Sequence, residues 1–308
     1  MERFKNILFV SIGGREDSAA LIRANRLALT NQSRLTLIRV IEDIPAAANY
    51  IFPKKRLEEL KDASISLAQT ELDELLKKID PSVKVQTKVV FGKPFIELIR
   101  AVLGNSYDLI VKPKNEVDQN ASLESTDLHL LRKCPCPVWI IKPNQRKPFA
   151  KILIAVDPDP SETERLKIDA DLVKLGISLA SREKGKVEVV HTWQLDGESM
   201  LRGPRFRMGE DEVHQLSEKV KSVRQEWLDS LLAPYAEHDI AVSLVKGPPG
   251  PTLVKFIEKK KPDIVVMGTV ARSGLPGLLI GNTAEFVLGR ISCSVLTIKP
   301  KGFKTPVS

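Results

Sequence analysis

An internal repeat constrains this chain more than any other feature. The segment Thr126-Asp-Leu-His-Leu-Leu-Arg-Lys-Cys-Pro-Cys-Pro-Val-Trp-Ile-Ile-Lys-Pro143 aligns without gaps on Thr283-Ala-Glu-Phe-Val-Leu-Gly-Arg-Ile-Ser-Cys-Ser-Val-Leu-Thr-Ile-Lys-Pro300, with Thr, Cys, Val, Ile and Lys-Pro at fixed offsets. Upstream, Phe4-Lys-Asn-Ile-Leu-Phe-Val pairs with Phe149-Ala-Lys-Ile-Leu-Ile-Ala, Gly92 with Gly247, and Tyr107-Asp-Leu-Ile-Val with Pro262-Asp-Ile-Val-Val. Self-similarity on this scale means two copies of one folding unit. A length of 308 residues gives each copy enough chain for its own core. The expected domains are residues 1–143 and 150–308, joined by the polar, proline-containing stretch Asn144-Gln-Arg-Lys-Pro-Phe-Ala150.

Within each copy the hydrophobic period alternates. Ile7–Val10 is a short apolar run; Glu16–Thr30 spaces Ala19, Ala20, Ile22, Leu27 and Leu29 as a helix does; Leu35–Ile41 is again strand-like. A long helix is expected over Arg56–Ile79 on Leu57, Leu60, Leu67, Leu72, Leu75 and Leu76, then a strand at Val83–Phe91 and a helix at Pro94–Leu103. A strand at Leu109–Val111, a helix from Thr126 and a strand at Val138–Ile141 complete the unit. The second half repeats the order, with strands near Ile152–Val156, Val187–Thr192, Ala241–Lys246, Ile264–Met267 and Val295–Ile298. Short β-branched strands alternating with helices specify an α/β fold, with each half a doubly wound parallel five-stranded sheet. Ligands in such sheets sit beyond the carboxyl ends of the strands where the strand order reverses. That directs attention to Asp157 and to the loop starting at Gly268.

Composition removes several classes. No apolar run approaches the roughly 18–20 residues that span a bilayer, and the chain opens on a strand-like segment rather than a signal sequence. Three cysteines cannot form the disulfide framework of a secreted protein, so a cytoplasmic, reducing location is expected. The net charge of +8 is uneven: residues 1–147 carry 24 Lys and Arg against 18 Asp and Glu. A basic balance favours anionic partners. With aromatics at 5%, and none interleaved in Lys54-Lys-Arg56 or Lys259-Lys-Lys261, base-stacking platforms for nucleic acid are not expected.

Gly268-Thr-Val-Ala-Arg-Ser-Gly-Leu-Pro-Gly-Leu-Leu-Ile-Gly-Asn-Thr-Ala-Glu285 leaves a strand, is rich in glycine and enters a helix. Glycines let backbone N–H groups approach an anion, and a helix start adds unpaired donors. Gly281, Asn282 and Thr283 form the candidate cradle; in the alternative, Asn282 or Thr283 is simply the helix cap, with Glu285 in the first turn. Arg272 is a candidate phosphate clamp.

These motifs and the tandem halves resemble the two-domain members of the universal stress protein family over nearly the whole chain. The resemblance implies the strand order 3-2-1-4-5 of adenine nucleotide alpha hydrolase-like folds and ATP or ADP as ligand, with Mg²⁺ accompanying the nucleotide. The family's nucleotide-binding pattern Gly-x2-Gly-x9-Gly-(Ser/Thr) reads here Gly268-x2-Ala271-x9-Gly281-Asn282, departing at Ala271 and Asn282. The resemblance further implies that Ala155, Val156, Asp157, Thr192 and Met267 line an adenosine pocket, with Asp157 accepting from base or ribose. In the first half Ile12 stands at the place of Asp157 and Pro113 at that of Gly268, so that half is expected to be degenerate for nucleotide. It then either binds something else or serves as the pseudo-symmetric partner that a single-domain member obtains by dimerising; a homodimer of the whole chain is a further expectation.

Competing readings remain. Ser11-Ile-Gly-Gly-Arg-Glu-Asp-Ser18 approaches the Ser-Gly-Gly-x-Asp-Ser loop of ATP pyrophosphatases, but one extra residue spoils the match, and turn and capping needs explain its glycines and Asp17-Ser18. No Gly-x4-Gly-Lys-(Ser/Thr) occurs. Cys134-Pro-Cys136 lacks a fourth metal ligand, and His129, His191, His214 and His238 lie far apart, His191 reading as a core residue. Arg202-Gly-Pro-Arg-Phe-Arg-Met208 either closes over an anion or is an exposed loop. The expected function is nucleotide binding rather than catalysis. The alternatives are a module for another anionic metabolite or none, and a slow ATP-hydrolysing enzyme.

Overall fold

The computed structural model describes residues 4–14, 16–115, 123, 125–143, 145, 147–269, 280–300 and 302–307. Its elements begin with β1 (Asn6–Ser11), α1 (Glu16–Asn31), β2 (Arg34–Ile41), α2 (Ala48–Ile51), α3 (Lys54–Leu76), β3 (Val85–Phe91), α4 (Pro94–Asn105), β4 (Leu109–Pro113), α5 (Ser125–Lys133) and β5 (Val138–Ile141). There follow β6 (Lys151–Ala155), α6 (Thr163–Glu183), β7 (Lys186–Trp193), α7 (Glu198–Arg202), α8 (Glu210–Leu232), β8 (Ile240–Lys246), α9 (Pro249–Lys260), β9 (Ile264–Gly268), α10 (Asn282–Leu288) and β10 (Ser294–Ile298). The chain divides into two compact units, residues 1–147 with 292–308, and residues 148–291.

In the first unit the strands run in the order β3-β2-β1-β4-β5, all parallel, with Ile7 opposite both Leu35 and Leu109. The order reverses at β1, because the chain steps outward to β3 and then returns to the other side of β1. Ile7, Leu8 and Phe9 are wholly buried, as a central strand covered on both faces requires. The edge strand β3 is only half-buried. Residues 292–308 complete this unit: β10 pairs antiparallel with β5, Leu296 opposite Trp139. The second unit repeats the first four strands as β8-β7-β6-β9, parallel throughout, with Ala155 opposite Met267 and Val190.

The expected apolar faces need two corrections. In α3 the buried stripe is Leu57, Ala68, Leu72 and Leu75, while Leu60 and Leu67 are 38% and 63% exposed. At roughly 100° per residue, Leu60 and Leu67 sit about 80–100° from the centre of that stripe. In α1, Ala19, Ala20 and Leu27 face the core, whereas Ile22 and Leu29 point outward. Close approach of α6 to the sheet uses Gly176: a Cβ there would lie 2.3 Å from Ile154 Cδ1.

Candidate functional site

The site follows from where β6 and β9 end. Ala155 closes β6, and the register that sets it against Met267 carries Val156 and Asp157 alongside Gly268 and Thr269. Val156 N–H bonds Val190 O at 3.1 Å, which brings the same loop against the end of β7 near His191 and Thr192. Gly281 N–H bonds Thr269 O at 2.8 Å, so the start and finish of the glycine-rich loop are tied together beside β9. Ala155, Val156, Asp157, Thr192, Met267, Gly268, Gly281, Asn282 and Thr283 thus belong to one unit and to one end of its sheet. Ala271 and Arg272 lie outside the described residues.

The helix cap settles differently from expectation. Gly281 is the N-cap of α10, in extended backbone, without a side-chain capping bond; Asn282 is the first helical residue and is exposed. Both side chains considered as caps therefore lie inside the helix.

Packing or a positive φ accounts for glycines such as Gly185 and Gly247, but not for Gly104, Gly209 or Gly268. A methyl at Gly185 would lie 2.2 Å from Phe149 O, and Gly247 holds a positive φ. At Gly268 a methyl would make ordinary contacts, 3.5 Å to Ile168 Cγ2 and 4.0 Å to Leu172 Cδ1, and φ is not positive. Among the described residues nothing demands a glycine here; a ligand drawn against the backbone would.

Asp157 is embedded in a charged cluster that periodicity does not reveal. Arg165, in the first turn of α6, forms an ion pair with Asp157 and reaches Glu162 at 3.9 Å. His191 Nδ1 lies 3.1 Å from Val156 O and 3.7 Å from Asp157 Oδ1, and its ring is buried. His191 is thus a core residue, as expected, yet it also backs the site. Asp169, one turn beyond Arg165, accepts the Asp157 N–H through Oδ1 at 3.2 Å. Among the described residues its Oδ2 is buried without a hydrogen-bond partner, as is Thr269 Oγ1. Burial pushes the Asp169 carboxyl up to about 7, against the opposing pull of the Arg165 charge. Sequence reasoning missed Arg165 and Asp169. The available signal was a carboxylate among Ile168, Leu172 and Val173 on the apolar face of an amphipathic helix.

The same end of the first unit is built otherwise. Asp17 accepts Ser11 Oγ–H at 2.6 Å, Ile12 N–H at 3.0 Å and Gly13 N–H at 3.2 Å, so it fixes the loop after β1 rather than capping α1. Lys112 Nζ lies 2.8 Å from Asp127 Oδ1 and donates to Pro113 O at 3.0 Å, with both side chains buried. In the repeat these positions correspond to Met267 and Ala284. An ion pair ties β4 to α5 where the second unit has apolar residues.

The cluster around Asp157 can recognise polar groups, but it offers no nucleophile poised beside a base. Asp159 is engaged by Ser161, and among the described residues no three His, Cys, Asp or Glu side chains converge as a metal site. The 202–208 stretch is an exposed turn whose Arg202 pairs with Glu198 and Glu210.

The universal stress protein family model matches residues 3–142 and 148–299. Universal stress protein E of Salmonella typhi is 27% identical over 312 residues, covering 100% of this chain and 98% of that protein. The universal stress protein E homolog of Haemophilus influenzae is 28% identical over 313 residues, covering 97% and 98%. Among solved structures, a protein of unknown function from Pseudomonas aeruginosa PAO1 superposes with a TM-score of 0.69 at 25% identity, over 97% of this chain and 94% of that one. A universal stress protein from Archaeoglobus fulgidus gives a TM-score of 0.59 at 16% identity, over 96% and 99%, a likeness of fold.

Proposed function

The chain belongs to the universal stress protein family, and from that premise we propose that its second unit binds an adenine nucleotide, ATP or ADP, beyond the carboxyl ends of β6 and β9, while the first unit plays a structural part. The observation that carries this reading is Gly268: neither packing nor backbone conformation requires glycine there, although it stands at the strand end beside Asp157. Two buried polar atoms at the same place, Asp169 Oδ2 and Thr269 Oγ1, await partners, which suits a ligand bearing hydroxyl groups. The buried Lys112–Asp127 pair at the corresponding end of the first unit supports a structural part for that half.

Asp157 would accept from base or ribose, Gly268 would admit the ligand to the backbone, and the loop from Gly268 to Thr283, with Ala271 and Arg272, would meet the phosphates. Mg²⁺ would arrive on the phosphates and keep its water, since Asp157 is engaged by Arg165 and Asp159 by Ser161. The protein would act in the cytoplasm as a nucleotide-binding stress protein rather than as an enzyme. No helix among the described residues is long and apolar enough to cross a membrane.

A second reading rests on Arg165. Its ion pair with Asp157 weakens that carboxylate as an acceptor for a sugar or base and leaves a cation at the strand end, which favours another anionic metabolite. Calorimetric titration of the full chain with ATP and ADP, combined with mass spectrometry of whatever is released when gently purified protein is denatured, separates the two. Binding of ATP or ADP that weakens about tenfold in Asp157→Ala, one lost charge-assisted hydrogen bond, and strengthens in Ala271→Gly supports the nucleotide. A different co-purified anion with no response to ATP supports the second reading.

A further inference from the structure

Cys134 and Cys136 take no part in the nucleotide reading. They sit between α5 and β5 in the first unit, separated by Pro135, and the chain bends at Pro135 and Cys136. On an extended strand the two intervening bonds would keep side chains two apart on one face but well separated; the bend draws them together. The sulfurs stand 3.5 Å apart, and both residues are buried, Cys134 completely. Lys299, the residue after β10, is buried against the same spot and donates from Nζ to Leu131 O at 2.7 Å. Leu131 lies three residues before Cys134 in the last turn of α5.

The three groups act on one another. Burial pulls the Lys299 ammonium down to about 8, and the two sulfurs oppose that pull. Burial alone would raise the Cys134 thiol, but the hydrogen bond from Cys136, the Lys299 charge and the Cys136 N–H together bring it below the ordinary thiol value. Cys136 is pushed well above that value by burial, and then by its neighbour Cys134. Of the two, Cys134 gives up its proton the more readily. That asymmetry separates an attacking from a resolving cysteine; because both are buried, an oxidant would have to reach them through local opening of the turn between α5 and β5.

We propose that Cys134 and Cys136 are an oxidation site for a hydroperoxide, at which Cys134 is oxidised, Cys136 resolves it, and Lys299 holds the Cys134 thiolate. The Cys134 thiolate attacks one peroxide oxygen, the O–O bond breaks, and the departing oxygen takes a proton, leaving Cys134 as a sulfenic acid. Cys136 loses its proton and attacks the sulfenic sulfur; the S–O bond breaks and the oxygen leaves as water. An S–S bond of about 2.05 Å replaces the non-bonded contact. Two thiols and one hydrogen peroxide become one disulfide and two waters, with two electrons passing from sulfur to oxygen. An external thiol reverses the reaction by exchange. Cys293 supplies an internal comparison, because the repeat places Ile291, not cysteine, two residues before it.

The test is to expose the full chain to hydrogen peroxide, alkylate the remaining thiols and map peptides by mass spectrometry. The expected result is a peptide spanning residues 134–136 that has lost two hydrogens, with Cys293 still alkylated. Cys136→Ser should trap Cys134 as a dimedone adduct. Lys299→Met should move the pH profile of Cys134 alkylation upward and slow its oxidation by about threefold per pKa unit gained, a readout that a merely structural lysine would leave unmoved. Because the mapping is first done on wild-type protein, it does not depend on any variant folding. The proposal is overturned if Cys134 and Cys136 remain alkylable after peroxide, or if Cys293 is oxidised ahead of them. It is equally overturned if Cys134 in a natively folded Cys136→Ser variant gives no dimedone adduct.

Discussion

Asp17 and Asp169 hold corresponding loops with unequal satisfaction. Asp17 receives three hydrogen bonds, whereas Asp169 receives one and buries its second oxygen bare. Burial raises both carboxyls, and for Asp169 the rise reaches about 7 from an ordinary value of 3.8. A carboxyl that holds its proton more tightly when folded favours the native state most at low pH. The advantage is lost as pH rises through the interval between the unfolded value and about 7. Arg165 on α6 is the charge that opposes this rise, with Asp157, Glu162 and His191 beside it. Asp169→Asn should therefore flatten the pH dependence of stability between about pH 4 and 7, by on the order of a few kcal/mol across that range. Urea unfolding at several pH values reads this directly, and an unchanged slope would reject the assignment. At Gly268 the expectation is the reverse kind of silence. Gly268→Ala should leave the melting temperature within a degree or two, because the added methyl meets only ordinary contacts, while ATP affinity falls; thermal unfolding and calorimetry check the two halves of that statement.

At the scale of elements, what could be read in advance was what period and punctuation encode. The strands β1, β2, β4 and β5 are short, largely apolar runs, interrupted inside only at Thr36, Arg39 and Lys112, and the repeat doubled the weight of each assignment. The α3 boundary and face were less legible: six leucines suggested one broad stripe, but Leu60 and Leu67 fall at its margin, where helical geometry puts them in water. Legibility also failed where a charge sits on an apolar face. Lys112 reads as a strand-end lysine and Asp127 as a helix-start acid, and nothing in their spacing says they meet in the interior. That pairing makes a sharp prediction. Lys112→Met alone takes a cationic partner from the buried Asp127 carboxylate and should cost about 3–5 kcal/mol. Lys112→Met with Asp127→Ala installs the pair that the second unit already uses, Met267 and Ala284, and should recover most of that loss. A double-mutant cycle by urea denaturation measures the difference. If the double variant is as unstable as the single one, the two charges are not a closed pair.

For the whole molecule, the repeat gives the number of units but not the path by which the chain finishes them. The aligned segments end on matching strands, which invites the reading that each half closes its own sheet. The family model carries the second copy to residue 299, and in the division into compact units residues 292–308 count with residues 1–147, where β10 lies antiparallel on β5 and stitches it with more than ladder bonds. Lys142 N–H bonds Ser294 Oγ at 3.0 Å, and Lys299 reaches back to Leu131. Sequence similarity could not supply this, since a strand's partner on its far side is set by what lies next to it in space and not by its own pattern. A chain ending at residue 291 should accordingly lose stability in the first unit. Without β10 the β5 edge would present unpaired backbone groups, and Trp139, 2% exposed opposite Leu296, would lose its cover. Trp139 is the only tryptophan of that unit, so its emission is a local reporter once Trp193 and Trp227 are replaced by phenylalanine. We expect a red shift of Trp139 fluorescence and faster amide exchange along Val138–Ile141 in the shortened chain. Full protection of β5 in that chain would mean that the first five strands hold together unaided and that the last strand is an ornament of the unit rather than a part of it.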